Sequence, residues 1–396
     1  MSRHLFPLAL ILLALTPASA WAQEASDRSI VETVERAPRI GDDERYIQFS
    51  PFVQFDGGWA SSSPRDLVGE ADRRNGEVRR GRLYVDFGYD DLGGRLTVDF
   101  ANLETSPVTY AYLNYKLNET LTLQGGYQTV PFSMQQMMGS RSATFAENGL
   151  NAGLQLSDGT GIAALAGGER WSLSGGVFGG DINDQPFDDG VTLAARGSYA
   201  PYLEGADAVH FGLGLAGGFD RQEPLSFSGG VGTNLVSASP VSTGDFDGSA
   251  ELLSLNVEFA ATLGRLTLQS EYTLSRVDAL DDGSATVHGG YASALLFLTD
   301  DHRKYEASSG QFEQVKPAHA VTKGGIGAFE IGARFDALDL TDADDGGSEL
   351  AGTAILNWYP TDILRFTASH TYTQVNDGPN EGDRVNATLL RAAIIY

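Results

Sequence analysis

Apolar and polar residues alternate along most of this chain from Tyr46 onward. In "RLYVDFGY", Leu83, Val85, Phe87 and Tyr89 fall on one face, and Arg82, Tyr84, Asp86 and Gly88 on the other. "RLTVDF" sets Leu96, Val98 and Phe100 against Arg95, Thr97 and Asp99. "LSLNVEFA" sets Leu253, Leu255, Val257 and Phe259 against Ser254, Asn256 and Glu258. "RLTLQSEYTL" sets Leu266, Leu268, Tyr272 and Leu274 against Arg265, Thr267, Gln269 and Glu271. Alternate side chains of a strand point to opposite faces. One greasy face and one charged face predict strands with lipid on one side and water on the other. A soluble antiparallel sandwich shares the alternation. The charges deep inside long strands, and the aromatic ending "RVNATLLRAAIIY", favour a membrane barrel.

The pattern predicts sixteen strands, over 46–56, 77–89, 94–102, 107–117, 120–129, 151–166, 169–179, 190–202, 207–220, 250–262, 264–277, 285–298, 325–340, 348–359, 361–375 and 384–396. The expected fold is therefore all-β: a closed antiparallel 16-stranded transmembrane β-barrel. An even number returns both ends of the chain to the periplasmic side, and closure leaves no open edge in lipid. Every odd-to-even connection is then extracellular, and these include the long 57–76, 130–150 and 221–249. Most even-to-odd connections are short, such as "DDLGG", "NET" and "YPTD". Residues 299–324 break this parity, because they form a long connection on the short-turn side. A long structureless connection is usually functional or a wrong assignment.

Residues 1–22 read as a signal peptide: Arg3, an apolar run from Leu5 to Leu15, and Ala20-Trp21-Ala22 as an A-x-A site. The run is too short to span a bilayer as a helix, and no later stretch is long enough. Residues 23–45 read as a periplasmic leader or short helix, with Ile30 and Val34 at a helical interval. Residues 46–396 are the outer-membrane β-barrel. The absence of cysteine excludes disulfides, zinc-thiolate sites and a Cys nucleophile. The net charge of -25 argues against nucleic acid as a partner. No G-x-S-x-G, H-E-x-x-H or P-loop occurs, and the six histidines are scattered, so no enzyme, cofactor or metal is expected.

Four stretches, in order, resemble the phosphate-selective porin O and P family. They are "RRGRLYVDFGYDDLGGRLTVDFAN", "GGYQTVPFSMQQMMGSRSATFAEN", "FLTDDHRKYEASSGQFEQVKP", and "GAFEIGARFDALDL" followed by "LNWYPTDILRF". The resemblance implies a trimer of 16-stranded barrels in the outer membrane. It implies extracellular loops and one periplasmic turn folded into the lumen, and arginines and lysines that bind passing anions such as phosphate or polyphosphate. Two positions depart from the family: Thr129 stands where lysine is common, and Phe52 where arginine is common.

Arginine suits anion selection because its planar donors match oxyanions and it stays charged. By alternation, Arg82, Arg95, Arg196, Arg265, Arg334, Arg365 and Arg391 should face the lumen. Arg141, in "GSRSATF", is the candidate for the constriction, and the apolar residues of 131–145 should fold that loop inward. Arg303, Lys304 and Lys316 are the cations of the periplasmic insert. A lumen arginine equally serves to pair with a carboxylate on the next strand. A general or cation-leaning porin is the alternative, because Asp86, Asp99, Glu258, Glu271, Glu330 and Asp336 also face inward. An adhesin or enzyme anchored by the barrel is a third reading. The Asp-rich "DINDQPFDD", "DADDGG" and "DALDDG" read as a solvated rim facing lipopolysaccharide.

Overall fold

The computed structural model describes residues 37–69, 73–184, 190–221, 225–246, 250–280 and 283–396. Sixteen strands form the barrel. They are β1 (Arg45–Ser63), β2 (Arg74–Tyr89), β3 (Leu92–Asp99), β4 (Val108–Lys116), β5 (Leu121–Gln128), β6 (Gly159–Gly167), β7 (Trp171–Phe178) and β8 (Val191–Glu204). The second half is β9 (Asp207–Arg221), β10 (Ala250–Leu263), β11 (Leu266–Ala279), β12 (Gly283–Phe297), β13 (Ala328–Asp339), β14 (Ser348–Tyr359), β15 (Leu364–Asp377) and β16 (Arg384–Ile395). Each strand pairs antiparallel with its neighbours, and β1 closes the sheet on β16, from Phe52↔Ile395 to Ser63↔Arg384.

The alternation has its physical reason in this closure. On β10, Ser254, Asn256, Glu258 and Ala260 are buried inside, while Leu253 is 64% and Val257 47% exposed on the outside. Phe211, Leu213 and Leu215 of β9 are likewise exposed. Such a band is stable only against lipid. Near the short-turn end Phe329, Trp358 and Phe366 stack at 5.8 and 5.5 Å, as interfacial aromatics do.

The connections at one end are short: 90–91, 117–120, 168–170, 205–206, 264–265 and 360–363. The insert between β12 and β13 is at this same end, as parity predicts. Two expectations are corrected. Half of the segment 57–76 is strand, since β1 runs on to Ser63 and β2 begins at Arg74. The strand expected from residue 151 begins at Gly159; Leu150–Leu154 is a 3-10 turn whose two leucines pack against Phe132 and Phe227. Arg39–Gly41 is a short strand against β1. The signal-peptide reading and the Ile30/Val34 helix lie outside the described residues, as do 185–189 and 281–282 of the Asp-rich stretches.

Three segments fill much of the lumen. The β5–β6 loop carries helix α1 (Met134–Ser142), capped by Ser133, whose hydroxyl accepts from the Gln136 amide at 3.2 Å. Phe132 and Met134 are fully buried. The β9–β10 loop contributes a hairpin, Leu225–Ser228 with Ser242–Phe246, whose Phe227 and Phe246 join a core with Phe132, Leu154 and Leu338. The insert contributes a small hairpin, Tyr305–Glu306 with Gln311–Phe312. Tyr305 and Phe312 pack on Ala200, Ala208 and Ala260 of the wall and on Met134 of α1. The turn from the short end thus meets the loop from the long end inside the barrel.

Candidate functional site: the arginine-lined lumen

The sequence "RRGR" on β2 sets the site's first feature. Between Gln54 and Phe55 of β1 the pairing shifts: Gln54 faces Arg80, Phe55 faces Val78, and Arg79 is the extra residue of a β-bulge. A bulge lets neighbouring residues share a face. Arg79, Arg80 and Arg82 consequently all line one cavity of about 510 Å³. Its other walls are α1 and the chain after it, the glycine-rich 228–233, and Arg334, Asp336, Thr353, Thr371 and Arg391 of the barrel. Five arginines (79, 80, 82, 334, 391) and three carboxylates (Glu147, Asp158, Asp336) line it, so the lining itself leans positive.

The ion pairs refine that balance. Arg82 bonds Asp99 at 2.8 Å, and Arg95 bonds Asp86 at 2.6 Å. Arg391 holds Asp56 with both arms, at 2.7 and 2.6 Å, and Glu147 at 2.8 Å. Arg334 bonds Asp336 at 2.8 Å, and Arg79 reaches Glu147 at 3.3 Å. Burial works against the Glu147 charge, but Arg79, Arg391 and Arg80 outweigh it and hold this carboxyl below its ordinary range. Burial raises Asp158, and the hydrogen bond from Thr129 does not restore it. Arg80, Arg141 and Arg365 make no ion pair among the described residues. Arg80 donates to Gln54 at 2.7 Å. Arg141 donates to the Ser50 carbonyl at 3.3 Å and lies 4.0 Å above the Tyr84 ring. Gly139 reaches this arrangement at φ 62°, ψ 174°, breaking the helix just before Arg141. Burial lowers the Arg141 pKa from its ordinary value.

Several arginines also hold the infolded chain. The carbonyls of residues 140–148 form a row of acceptors. Arg365 donates to Ser140 at 3.2 Å and to Ala143; Arg303 donates to Ser142 at 3.4 Å. Arg391 donates to Ala146 at 2.5 Å, and Arg334 to Glu147 and Asn148 at 2.9 and 3.0 Å. A neutral carbonyl satisfies a guanidinium without cancelling its charge. Of these four arginines only Arg365 has no carboxylate partner among the described residues, the others being paired with Glu330, Asp336, Asp56 and Glu147.

Elsewhere the arginines are sealed. Arg196 holds Glu258 with two bonds of 2.8 Å and donates to Ser309 and Gly310 of the insert. His210 lies between Glu258 and the Tyr305 hydroxyl, at 3.0 and 2.6 Å. Arg303 holds Glu330 at 3.1 and 2.9 Å beside the Tyr359 hydroxyl. Lys304 is exposed and paired with Glu313 at 2.7 Å. Lys316 is exposed. Arg265, expected on the lumen face of a strand, is instead in the two-residue turn between β10 and β11 and is exposed, because β11 starts one residue later. Of the six lumen acids, five are matched to arginines. Glu271 instead accepts from Tyr291 at 2.6 Å and from the Gln135 amide at 2.9 Å. Arg79 was not legible as a lumen residue, because a strict period of two assigns it to the face opposite Arg82. Arg80 shares the parity of Arg82, but the sequence reading does not single it out. Among the described residues no cluster of His, Asp or Glu could hold a metal.

A closed barrel with a lipid-facing apolar band, a polar lumen and inward loops defines an outer-membrane porin, a channel and not an enzyme. A profile of "Phosphate-selective porin O and P" matches residues 69–396, and the chain belongs to that family. An uncharacterised protein of Caulobacter vibrioides is 28% identical over 364 residues, covering 84% of this chain and 70% of its own. Porin O of Pseudomonas aeruginosa is 26% identical over 245 residues, 53% of this chain and 55% of its own. Among solved structures, OmpT of Vibrio cholerae superimposes with a TM-score of 0.57 at 14% identity, over 91% of this chain and all of its own. An anion-selective porin from Comamonas acidovorans gives 0.55 at 10%, over 89% of this chain and all of its own.

Proposed function

We propose that this porin conducts small anions, phosphate among them, passively across the outer membrane. The observation that carries the reading is the cavity where Arg79, Arg80, Arg82, Arg334 and Arg391 outnumber Glu147, Asp158 and Asp336. Within it Arg80 keeps its charge beside a glutamine, and the surrounding barrel wall limits screening by bulk salt. The bulk charge of -25 does not decide the matter, because charges beyond about 8–10 Å are screened at physiological ionic strength. The test is the reversal potential of the purified channel in a potassium chloride gradient, with inorganic phosphate added to block chloride current. An anion-selective potential with phosphate block supports the reading; a cation-selective potential removes it.

A cation-leaning porin is the second reading. A lower cavity of about 540 Å³ at the short-turn end is lined by Asp43, Glu44, Asp86, Asp90 and Asp91 against Arg95 and Lys116. The same reversal potential decides between the two.

Three further parts belong to this proposal. Residues 1–22 act as a cleaved signal peptide, so the mature chain should begin at Gln23. The exposed Asp342, Asp344 and neighbouring acids of the long-loop rim face lipopolysaccharide. The chain assembles as a homotrimer, a reading supported by the trimer form solved for Vibrio cholerae OmpT. Crosslinking in native membranes tests the last point.

A further inference from the structure

The two cavities border one stretch of β4. Tyr110 lines the upper cavity and Tyr112 the lower, and both face inward from β4. Their rings are 6.4 Å apart, and Tyr84 of β2 lies 6.5 Å from Tyr110. Arg82 stands at the upper end of this strip. Arg141 and Arg95 both cover Tyr84, at 4.0 and 5.3 Å. Below, Asn114, also on the lumen face of β4, lines the lower cavity with Tyr112 and Gln48. The Tyr112 hydroxyl and the Asn114 amide have no hydrogen-bond partner among the described residues.

This strip is more than a hydrated wall needs. A bare oxyanion uses guanidinium groups and has no use for two half-buried rings, Tyr110 and Tyr112, backed by the buried Tyr84. The rings offer flat apolar surface, and the phenol and amide offer donors and acceptors beside it. A ligand matching both has a charged head, a ring body and several hydroxyls. The acids of the lower cavity, which repel a bare anion, accept hydrogen bonds from hydroxyls.

We propose that the Tyr84–Tyr110–Tyr112 strip is a subsite for phosphorylated sugars. The phosphate sits at Arg82, the sugar ring lies on Tyr110 and Tyr112, and its hydroxyls bond Asn114 and the Tyr112 phenol. The inference deepens the anion reading and rests on it. The cavities of about 510 Å³ and 540 Å³ on either side of this stretch are each ample for such a solute.

The experiment records chloride current through the purified full-length channel in planar bilayers. The probes are inorganic phosphate, glucose 6-phosphate, glucose and phenyl phosphate. Glucose 6-phosphate is expected to block at about tenfold lower concentration than phosphate, the return from one or two added contacts. Y112F keeps the ring and N114A the strand; each should weaken the sugar-phosphate block about threefold, the loss of one neutral hydrogen bond, and leave phosphate block unchanged. Y110L/Y112L should remove the preference altogether. If phosphate blocks but glucose 6-phosphate blocks no better, the strip is only wall; the inference fails and the anion reading stands. If phenyl phosphate matches glucose 6-phosphate and ignores N114A, the subsite takes aromatic anions and the inference is overturned. If neither phosphate nor its esters block and the channel selects cations, both readings fall together.

Discussion

On the β1–β4 wall, Arg80, Arg82 and Arg95 stand beside open space, with Gln54, Asp99 and Asp86 as partners. On the β8–β13 side, Arg196 and Arg303 are about 1% exposed and bound with both arms to Glu258 and Glu330. The residue type is the same, but Arg196 belongs to the barrel wall and Arg303 to the insert. The difference lies in what packs against them. The insert lies over Arg196 and, through its own Arg303, is joined to Glu330 of the wall. Arg80 borders the arginine-lined cavity. One side of the lumen is therefore packed against the insert, and the other borders open cavities. An arginine in a porin sequence says nothing of its role until the path of the inward segments is known.

The largest effect should come from removing the cover. Deleting residues 303–315 uncovers Arg196 and His210 and makes the two walls alike. Single-channel conductance should rise severalfold and ion selectivity should weaken, while the barrel still migrates as a folded, heat-modifiable band. Unchanged conductance and selectivity would mean that the insert does not narrow the path.

Next in size is a change to the sealed wall itself. R303M leaves Glu330 buried with no cation, and breaking a buried pair from one side costs about 3–5 kcal/mol. Denaturant unfolding in detergent should show that loss, and R303M/E330M should recover much of it. On the open wall R80Q removes one hydrogen bond, so stability should move by about 1 kcal/mol or less. Its reversal potential should nonetheless shift toward cations. If R80Q destabilises as much as R303M, the distinction between the walls collapses.

The smallest effect concerns pH. Asp158 is raised above the ordinary carboxylate range by burial, whereas Glu147 is lowered. As pH rises, Glu147 takes its charge earlier than an ordinary glutamate. Asp158 gains its charge later than an ordinary aspartate, adding a negative group to the cavity. Anion preference should therefore decline modestly as pH rises above the ordinary carboxylate range, and D158N should flatten the decline. The reversal potential measured at fixed salt and varied pH checks both statements.

The architecture was legible because closure in lipid demands alternation, and most of the strands keep it over most of their length. The side of the insert was legible because parity fixes it. Other features depend on contacts that no local pattern encodes. Arg79 and Arg80 share the lumen through a bulge whose cause lies in the pairing with β1. Arg365 and Arg334 reach carbonyls of residues 140–148, more than 180 positions away in the chain. The β9–β10 hairpin is made of Gly, Ser and Phe without a clear period, so its inward course was not readable. Leu150 and Leu154 suit a strand as well as a turn, and only their packing on Phe132 and Phe227 decides between them.

The seam between β1 and β16 also bears on the order of events in assembly. Its pairing joins the two ends of the chain, and on its lumen side Arg391 grips Asp56 across 335 positions of sequence. Contacts so distant form slowly, because the intervening chain must first give up its freedom. Three segments are inside the finished cylinder, and Arg391 also touches one of them through Ala146 and Glu147. An open sheet can receive these segments from the side, but a closed one admits them only through its mouths. Zipping the seam last turns their correct placement into a condition for closure, so one arginine reports to the edge of the sheet that its contents are in place.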